Sequence, residues 1–196
     1  MTLSIGRYVS PGRVVSGRPA LFCDRDGVLN RRVPGGYVTA PVQVEVLGIA
    51  LPALRAATHL GMTVVMVTNQ GAIGRRLATS EEVLLVNATL LTQLSSVGIR
   101  IDAVYVCPHH PDAADVSDRD CRCRKPAPGL FLAAADDLGI DLARSVAIGD
   151  QPSDREAAIS AGIPAERMVL VADDDDPGEV ATRVCNAFGW GMQADS

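Results

Sequence analysis

The sequence predicts an α/β fold: an open, doubly wound, mostly parallel sheet of the Rossmann-like kind. Three observations lead there. Short apolar runs rich in β-branched residues alternate with helical patterns along most of the chain. The polar residues best suited to chemistry follow the ends of those runs, where ligands bind in such sheets. A length of 196 residues, with 47% hydrophobic and 21% charged residues, suits one domain with a full core.

Residues 1–18 hold turn formers without periodicity and read as an N-terminal arm. Ala20-Leu21-Phe22-Cys23 is the first strand, followed by a loop rich in Gly, Arg and Pro. Ala50 to Leu60 reads as a helix, and Thr63 to Val67 as a buried strand ending at Thr68-Asn69-Gln70. Ser80, with Glu81 and Glu82 in the first turn, starts a helix whose apolar positions are Val83, Val86, Leu90, Leu94 and Val97. Ala103 to Val106 is the third strand and runs into a Cys/His loop; Pro128 then opens a helix to about Leu138. Ser145 to Ile148 is the fourth strand, ending in Gly149-Asp150, and Ser153 or Asp154 caps the next helix. Met168 to Val171 is the fifth strand, and Glu179 to Phe188 the last helix. Strands that alternate with helices imply right-handed crossovers and helices on both faces. The expected organisation is an arm over 1–18, a single domain over 19–190 that carries the loop 107–123, and a tail over 191–196.

The formal net charge of −5 argues against nucleic-acid and anionic-membrane partners, whose phosphates call for excess Lys and Arg. No apolar run reaches membrane-spanning length, and the N-terminal stretch is broken by Arg, Pro and Gly, so a cytoplasmic setting is expected. Five cysteines, three of them at positions 107, 121 and 123, suit metal binding in a reducing compartment better than a disulfide set.

Asp24-Arg25-Asp26-Gly27 places two carboxylates just after a buried strand, and Asp150 brings a third from another strand end. Such acids repel one another unless a cation sits among them, and Mg²⁺, a hard ion that takes oxygen ligands and phosphate, is the natural one. Thr68 offers a hydroxyl and Lys125 a point charge to a phosphoryl group, and Arg124 lies beside Lys125. Cys107-Pro108-His109-His110 and Cys121-Arg122-Cys123 supply three thiolates and one imidazole, the ligand set of a closed, structural Zn²⁺ site. Spacing alone leaves the choice between His109 and His110 open.

The segments 24–30 (Asp-Arg-Asp-Gly-Val-Leu-Asn), Thr68-Asn69-Gln70, Lys125-Pro126 and Gly149-Asp150 resemble the four motifs of the haloacid-dehalogenase-like phosphatases over about residues 20–172. The resemblance implies that Asp24 is the nucleophile, forming an aspartyl-phosphate, and that Asp26 is the general acid and base. It also implies that Asp24, the main-chain carbonyl of Asp26 and Asp150 bind Mg²⁺; Asp154 supports that shell or caps its helix. The Cys/His loop narrows the likeness to heptose 1,7-bisphosphate phosphatases and their histidinol-phosphate relatives, which lack a large cap domain, and it favours His109 as the zinc ligand. By the same likeness Arg124, Asn69, Gln70, Arg75 and Tyr37 contact a small sugar phosphate, and the C7 phosphate of a heptose 1,7-bisphosphate is the expected target. Histidinol phosphate, or another phosphate monoester, is the alternative substrate, and a non-catalytic zinc-stabilised binding protein the alternative of another class. Two positions depart from the family pattern: Gly71 stands where it has Ser, and Gln151 where it often has Lys. Arg31, Arg32, Arg75 and Arg76 are candidates for gripping a second phosphate, and the run Asp173 to Asp176 reads as a solvated turn.

Overall fold

The computed structural model describes residues 7–9 and 17–189, the first three by their backbone alone. Most of the expected arm, and the whole tail over 191–196, lie outside the described residues. The strands are β1 (Arg7–Val9), β2 (Ala20–Cys23), β3 (Thr63–Asn69), β4 (Ala103–Cys107), β5 (Val146–Gly149) and β6 (Met168–Leu170). They form one sheet in the order β1-β4-β3-β2-β5-β6. The five from β2 to β6 run parallel, and β1 pairs antiparallel with β4, Tyr8 opposite Val104. Sequence reasoning had placed Arg7–Val9 in the arm, because three residues are too few to show a period of two.

Strands β2 and β4 are buried throughout, as strands covered on both faces must be. Alternate side chains feed two cores. Leu21 and Cys23 with Val64 and Met66 pack against Leu54, Leu90 and Val184, from helices α1 (Leu51–His59), α2 (Ser80–Ser96) and α5 (Pro177–Phe188). Phe22, Val65 and Ala147 pack against Phe131 and Ala157, from α3 (Gly129–Leu138) and α4 (Pro152–Ala161). The Phe22 and Phe131 rings lie 5.0 Å apart, tilted by 49°.

The chain leaves β2 toward β3 and β4 on one side, and later returns to β5 and β6 on the other. The order therefore reverses between β2 and β5, and a crevice opens there at the carboxyl ends of the strands. Register delivers the acids to it: Cys23 pairs with Ile148, and the amide of Asp24 donates to the Ile148 carbonyl at 3.0 Å. Asp24 and Asp150 thus emerge side by side.

Helix α2 starts at Ser80 as expected, whereas α5 starts at Pro177, two residues before Glu179; side chains outside the apolar pattern cap both. Thr79 caps α2: its hydroxyl accepts from the Glu82 amide at 3.1 Å, while Glu82 accepts from the Thr79 amide at 2.7 Å. Asp176 caps α5 by accepting from the amides of Gly178 and Glu179. Asp175 accepts from the Ala172 amide and Arg183, so two of the four acids expected to be only solvated hold the turn together. Thr79→Ala is expected to lower the unfolding free energy by about 1 kcal/mol in urea denaturation, without changing the m-value.

Candidate active site

At the carboxyl edge of β2, Asp24 turns its carboxylate onto the ammonium of Lys125, with Nζ 2.7 Å from Oδ1. The same ammonium lies 2.6 Å from Asp154 Oδ1 and donates to the Val67 carbonyl at 3.0 Å, so all three of its protons are placed. Burial works to lower the Lys125 pKa, but Asp24 and Asp154 outweigh it and hold the pKa above its ordinary value. Burial pushes Asp24 up to about 7; Lys125 opposes the rise, and Asp154 and Asp26 add to it. Asp24 Oδ2 accepts no hydrogen bond among the described residues and faces the cavity that Asp24 lines.

Asp154 Oδ2 accepts from the amides of Asp150 and Gln151 at 3.1 and 2.9 Å. One side chain thus caps α4, orients the turn after β5 and shares Lys125; the two roles left open by sequence are compatible. Asp24, Asp150 and Asp154 offer oxygens within 4.8 Å of one another. Asp150 Oδ1 is buried with no hydrogen-bond partner among the described residues, and desolvation raises the Asp150 pKa although Arg32 counters it. Clustered carboxylates, with the pKa values of Asp24 and Asp150 raised, and an orphaned buried oxygen fit a hard divalent cation. Since both oxygens of Asp154 are engaged, Asp24 and Asp150 are the side chains left to meet such an ion. Gly27 makes room for this pairing: its φ is +93°, and a Cβ there would overlap the Asp150 carboxylate.

Asp26 shares the turn, and its carboxylate is surrounded by donors. Arg25 reaches it from Nε at 3.2 Å and from its terminal nitrogen at 2.9 Å, Gln70 Nε2 at 2.9 Å and Asn30 Nδ2 at 3.3 Å. Gln70 Nε2 also donates to Thr68 Oγ1 at 2.9 Å, which leaves the Thr68 hydroxyl proton to point elsewhere. Asn69 spends both ends of its amide on the main chain of Lys125, accepting from its amide at 3.0 Å and donating to its carbonyl at 2.9 Å.

A cavity of about 260 Å³ joins these groups, lined by Asp24, Asp26, Thr68, Asn69, Lys125 and Asp154 with a rim that includes Arg32, Tyr37 and Arg124. Of the four candidate arginines, Arg32 alone lines it, forming an ion pair with Asp150. Arg31 pairs with Glu45 and Arg76 with Asp115, while Arg75 sits over the Tyr37 ring at 6.0 Å. Gln70 is fully buried behind the wall.

Arg124 ties this cavity to the Cys/His loop, donating to the His109 carbonyl at 2.9 Å from its side chain and to Cys121 Sγ at 3.4 Å from its amide. The sulfurs of Cys107, Cys121 and Cys123 lie 3.2–3.7 Å apart, and His109 Nδ1 is 3.2 Å from Cys123 and 3.7 Å from Cys107. A tetrahedral ion bound to sulfur at about 2.3 Å needs sulfur–sulfur edges of about 3.8 Å, so the cluster fits the expected zinc closely. Hydrogen bonding between Cys107 and Cys123 holds the Cys123 thiol down at about 5 and, with burial, raises that of Cys107. His110 is not in the cluster. Its ring lies over Gly71, where a Cβ would come 2.7 Å from Cδ2, so His110 occupies the space that a Ser side chain would need.

Sequence reasoning passed over Arg25, although a basic residue between two acids at a buried strand end was the available signal. It also left Asn87 unremarked, because the helical pattern of α2 makes it one polar residue among apolar ones.

A family profile described as HAD-hydrolase-like matches residues 122–184. The D-glycero-β-D-manno-heptose-1,7-bisphosphate 7-phosphatase of Yersinia pestis is 39% identical over 153 residues, covering 77% of this chain and 80% of its own. The enzyme of the same name from Salmonella typhi is 36% identical over 173 residues, 88% of either chain. Among solved structures, a HAD-like protein from Mesorhizobium loti aligns with a TM-score of 0.82 at 27% identity over 98% of both chains. D,D-heptose 1,7-bisphosphate phosphatase from B. bronchiseptica, complexed with magnesium and phosphate, aligns with a TM-score of 0.71 at 28% identity, over 86% of this chain and 98% of its own.

The cluster geometry predicts the effect of Cys123→Ser, which replaces the sulfur closest to both Cys107 and His109. Elemental analysis of the purified variant should find most of the thiolate-bound metal gone, and its thermal midpoint should fall by roughly 5–10 °C.

Proposed function

This chain belongs to the haloacid-dehalogenase-like phosphatases, in the family of the D-glycero-β-D-manno-heptose-1,7-bisphosphate 7-phosphatases, and we propose that it removes the C7 phosphate of a heptose 1,7-bisphosphate. The observation that carries the reading is the free Oδ2 of Asp24 facing a cavity that also presents Asp26, Thr68 and Lys125.

In this mechanism Asp24 Oδ2 attacks phosphorus. The bond from phosphorus to the sugar oxygen breaks as the Asp26 carboxyl gives that oxygen its proton, leaving an aspartyl-phosphate and a free alcohol. Asp26, now a carboxylate, takes a proton from water whose oxygen attacks phosphorus; the Asp24–phosphorus bond breaks, phosphate leaves and both acids are restored. Lys125 balances charge on the transferring oxygens while holding Asp24 in line. Because Thr68 Oγ1 already accepts from Gln70, its proton is available to the phosphoryl group. When bound, Mg²⁺ held by Asp24, Asp150 and the Asp26 main-chain carbonyl would offset the negative charge of the phosphate and polarise phosphorus.

Cys107, His109, Cys121 and Cys123 hold a structural Zn²⁺ in this reading, which fixes Arg124 at the rim through its bonds to His109 and Cys121. Arg124 and Tyr37 then meet the sugar, and Arg75 braces Tyr37. Asn69 acts on Lys125 from the cavity wall, and Gln70 acts on Asp26 from behind it. Arg32, at the cavity rim beside Asp150, is the group assigned to the distal phosphate; with Asp150 engaged on Mg²⁺, its guanidinium would be available to take it. No helix among the described residues is long and apolar enough to cross a membrane. A cytoplasmic setting belongs to the same proposal, supported by a cluster that needs reduced thiols.

Phosphate release with Mg²⁺, measured across sugar bisphosphates, sugar monophosphates and histidinol phosphate, should be fastest on the heptose 1,7-bisphosphate, and Asp24→Asn should abolish it. Faster release from histidinol phosphate would overturn the substrate, and an active Asp24→Asn protein the mechanism. Arg32→Ala should raise KM for the bisphosphate by roughly tenfold while leaving KM for the 7-monophosphate within about twofold. A parallel rise for both would remove Arg32 from the distal-phosphate role.

A further inference from the structure

Arg25 stands between two catalytic acids in sequence, and its side chain is fully buried. A guanidinium carries five N–H donors and no acceptor, and it stays charged, so taking it out of water is costly unless every donor finds an oxygen. The oxygens come from four separate segments. Asp26 takes Nε and one terminal nitrogen, and that same nitrogen reaches Gln70 Oε1 at 2.8 Å and the Val38 carbonyl at 3.5 Å. The other terminal nitrogen donates to Asn87 Oδ1 at 2.9 Å, on α2.

A group that only donates dictates the direction of every bond around it. Gln70 must present Oε1 to Arg25, which turns Nε2 toward Asp26 Oδ2 and Thr68 Oγ1. The Asp26 carboxylate is thereby held from behind at both oxygens, with a fifth of the side chain open to the cavity.

We propose that Arg25, acting through Gln70, is the positioning residue that aims the Asp26 carboxyl at the leaving-group oxygen. The proposal rests on the acid role given to Asp26 above. Arg25 does not line the cavity, so it acts on the reaction through Asp26 and Gln70 and not by touching substrate. A misaimed acid matters only where the leaving group needs a proton. A sugar alcohol does; 4-nitrophenolate departs from phosphorus without one.

The test compares kcat/KM for the heptose 1,7-bisphosphate with kcat/KM for 4-nitrophenyl phosphate, since this parameter reports events up to departure of the leaving group. Arg25→Lys keeps the charge but loses the planar fork, and Gln70→Ala removes the intermediary should the lysine variant not fold. In either variant the loss on the sugar phosphate should exceed the loss on the aryl phosphate by roughly 10–100-fold. Any shared loss through Thr68 cancels in that ratio, as does any loss from general loosening of the fold. Equal losses on both substrates would overturn the proposal and leave Arg25 a structural residue. Asp26→Asn separates the two ideas: it should show the same selectivity, more strongly. If Asp26→Asn hits both substrates alike, the acid role of Asp26 fails and the positioning role falls with it. If Asp26→Asn is selective and neither Arg25→Lys nor Gln70→Ala is, only the positioning role is overturned.

Discussion

Lys125 holds its ammonium between Asp24 and Asp154 with almost no water to share the charge, and most of the functional edge follows from that arrangement. A buried ammonium is tolerable only with its donors matched and its charge opposed, and removing either carboxylate would leave one of its three N–H donors without an acceptor. Satisfying it therefore ties three distant segments together: the end of β2, the turn before α3 and the first turn of α4. Asp154 extends the constraint by accepting two main-chain amides after β5, which sets where Asp150 stands. Asn69 extends it on the other side by clamping the main chain of Lys125 from the end of β3.

A second buried cation, Arg25, mirrors the first. Lys125 is a flexible point charge on the Asp24 side of the cavity, whereas Arg25 is a planar fork, buried outside the cavity, that gathers Asp26, Gln70 and Asn87 around it. Between them they hold the two acids of one short turn in different environments: Asp24 with a free oxygen in a dry setting, Asp26 fenced by donors. The free oxygen leaves Asp24 open toward the cavity, while the donors fix where the Asp26 carboxyl stands.

The Cys/His cluster does for the rim what the cations do for the floor. The loop from 107 to 123 has little regular structure beyond one 3-10 turn, Val116–Asp118, and no core of its own. Its sulfurs and ring nitrogen converge on one point, and Arg124 is tied to the loop by two hydrogen bonds, to the His109 carbonyl and to Cys121 Sγ. His110 packs into the space beside Gly71, so the loop also explains why that position carries no side chain.

Local chemistry made much of this legible in advance. Strands β2 to β5 show as apolar runs because burial on both faces leaves no alternation to obscure them. Asp24, Asp150 and Lys125 stand out as a set, since acids and a Lys gathered at several strand ends are not expected by chance, and the cysteines stand out by their paired short spacings. The sequence by itself thus determined the order of elements, the parallel sheet and the residues that meet at its edge. It was silent on β1, whose three residues gain their conformation from pairing with β4, and on the caps Thr79 and Asp176, whose partners are main-chain amides. Only the tertiary structure decided that Arg32, and not its three rivals, faces the cavity, that Gln70 works from behind it while Asn69 sits in its wall, and that Arg25 is buried with Asp26, Gln70 and Asn87 accepting from it. The physical reason is that composition and period report what a residue prefers, whereas the direction of a hydrogen bond depends on partners far away in the chain, as Lys125 is from Asp24.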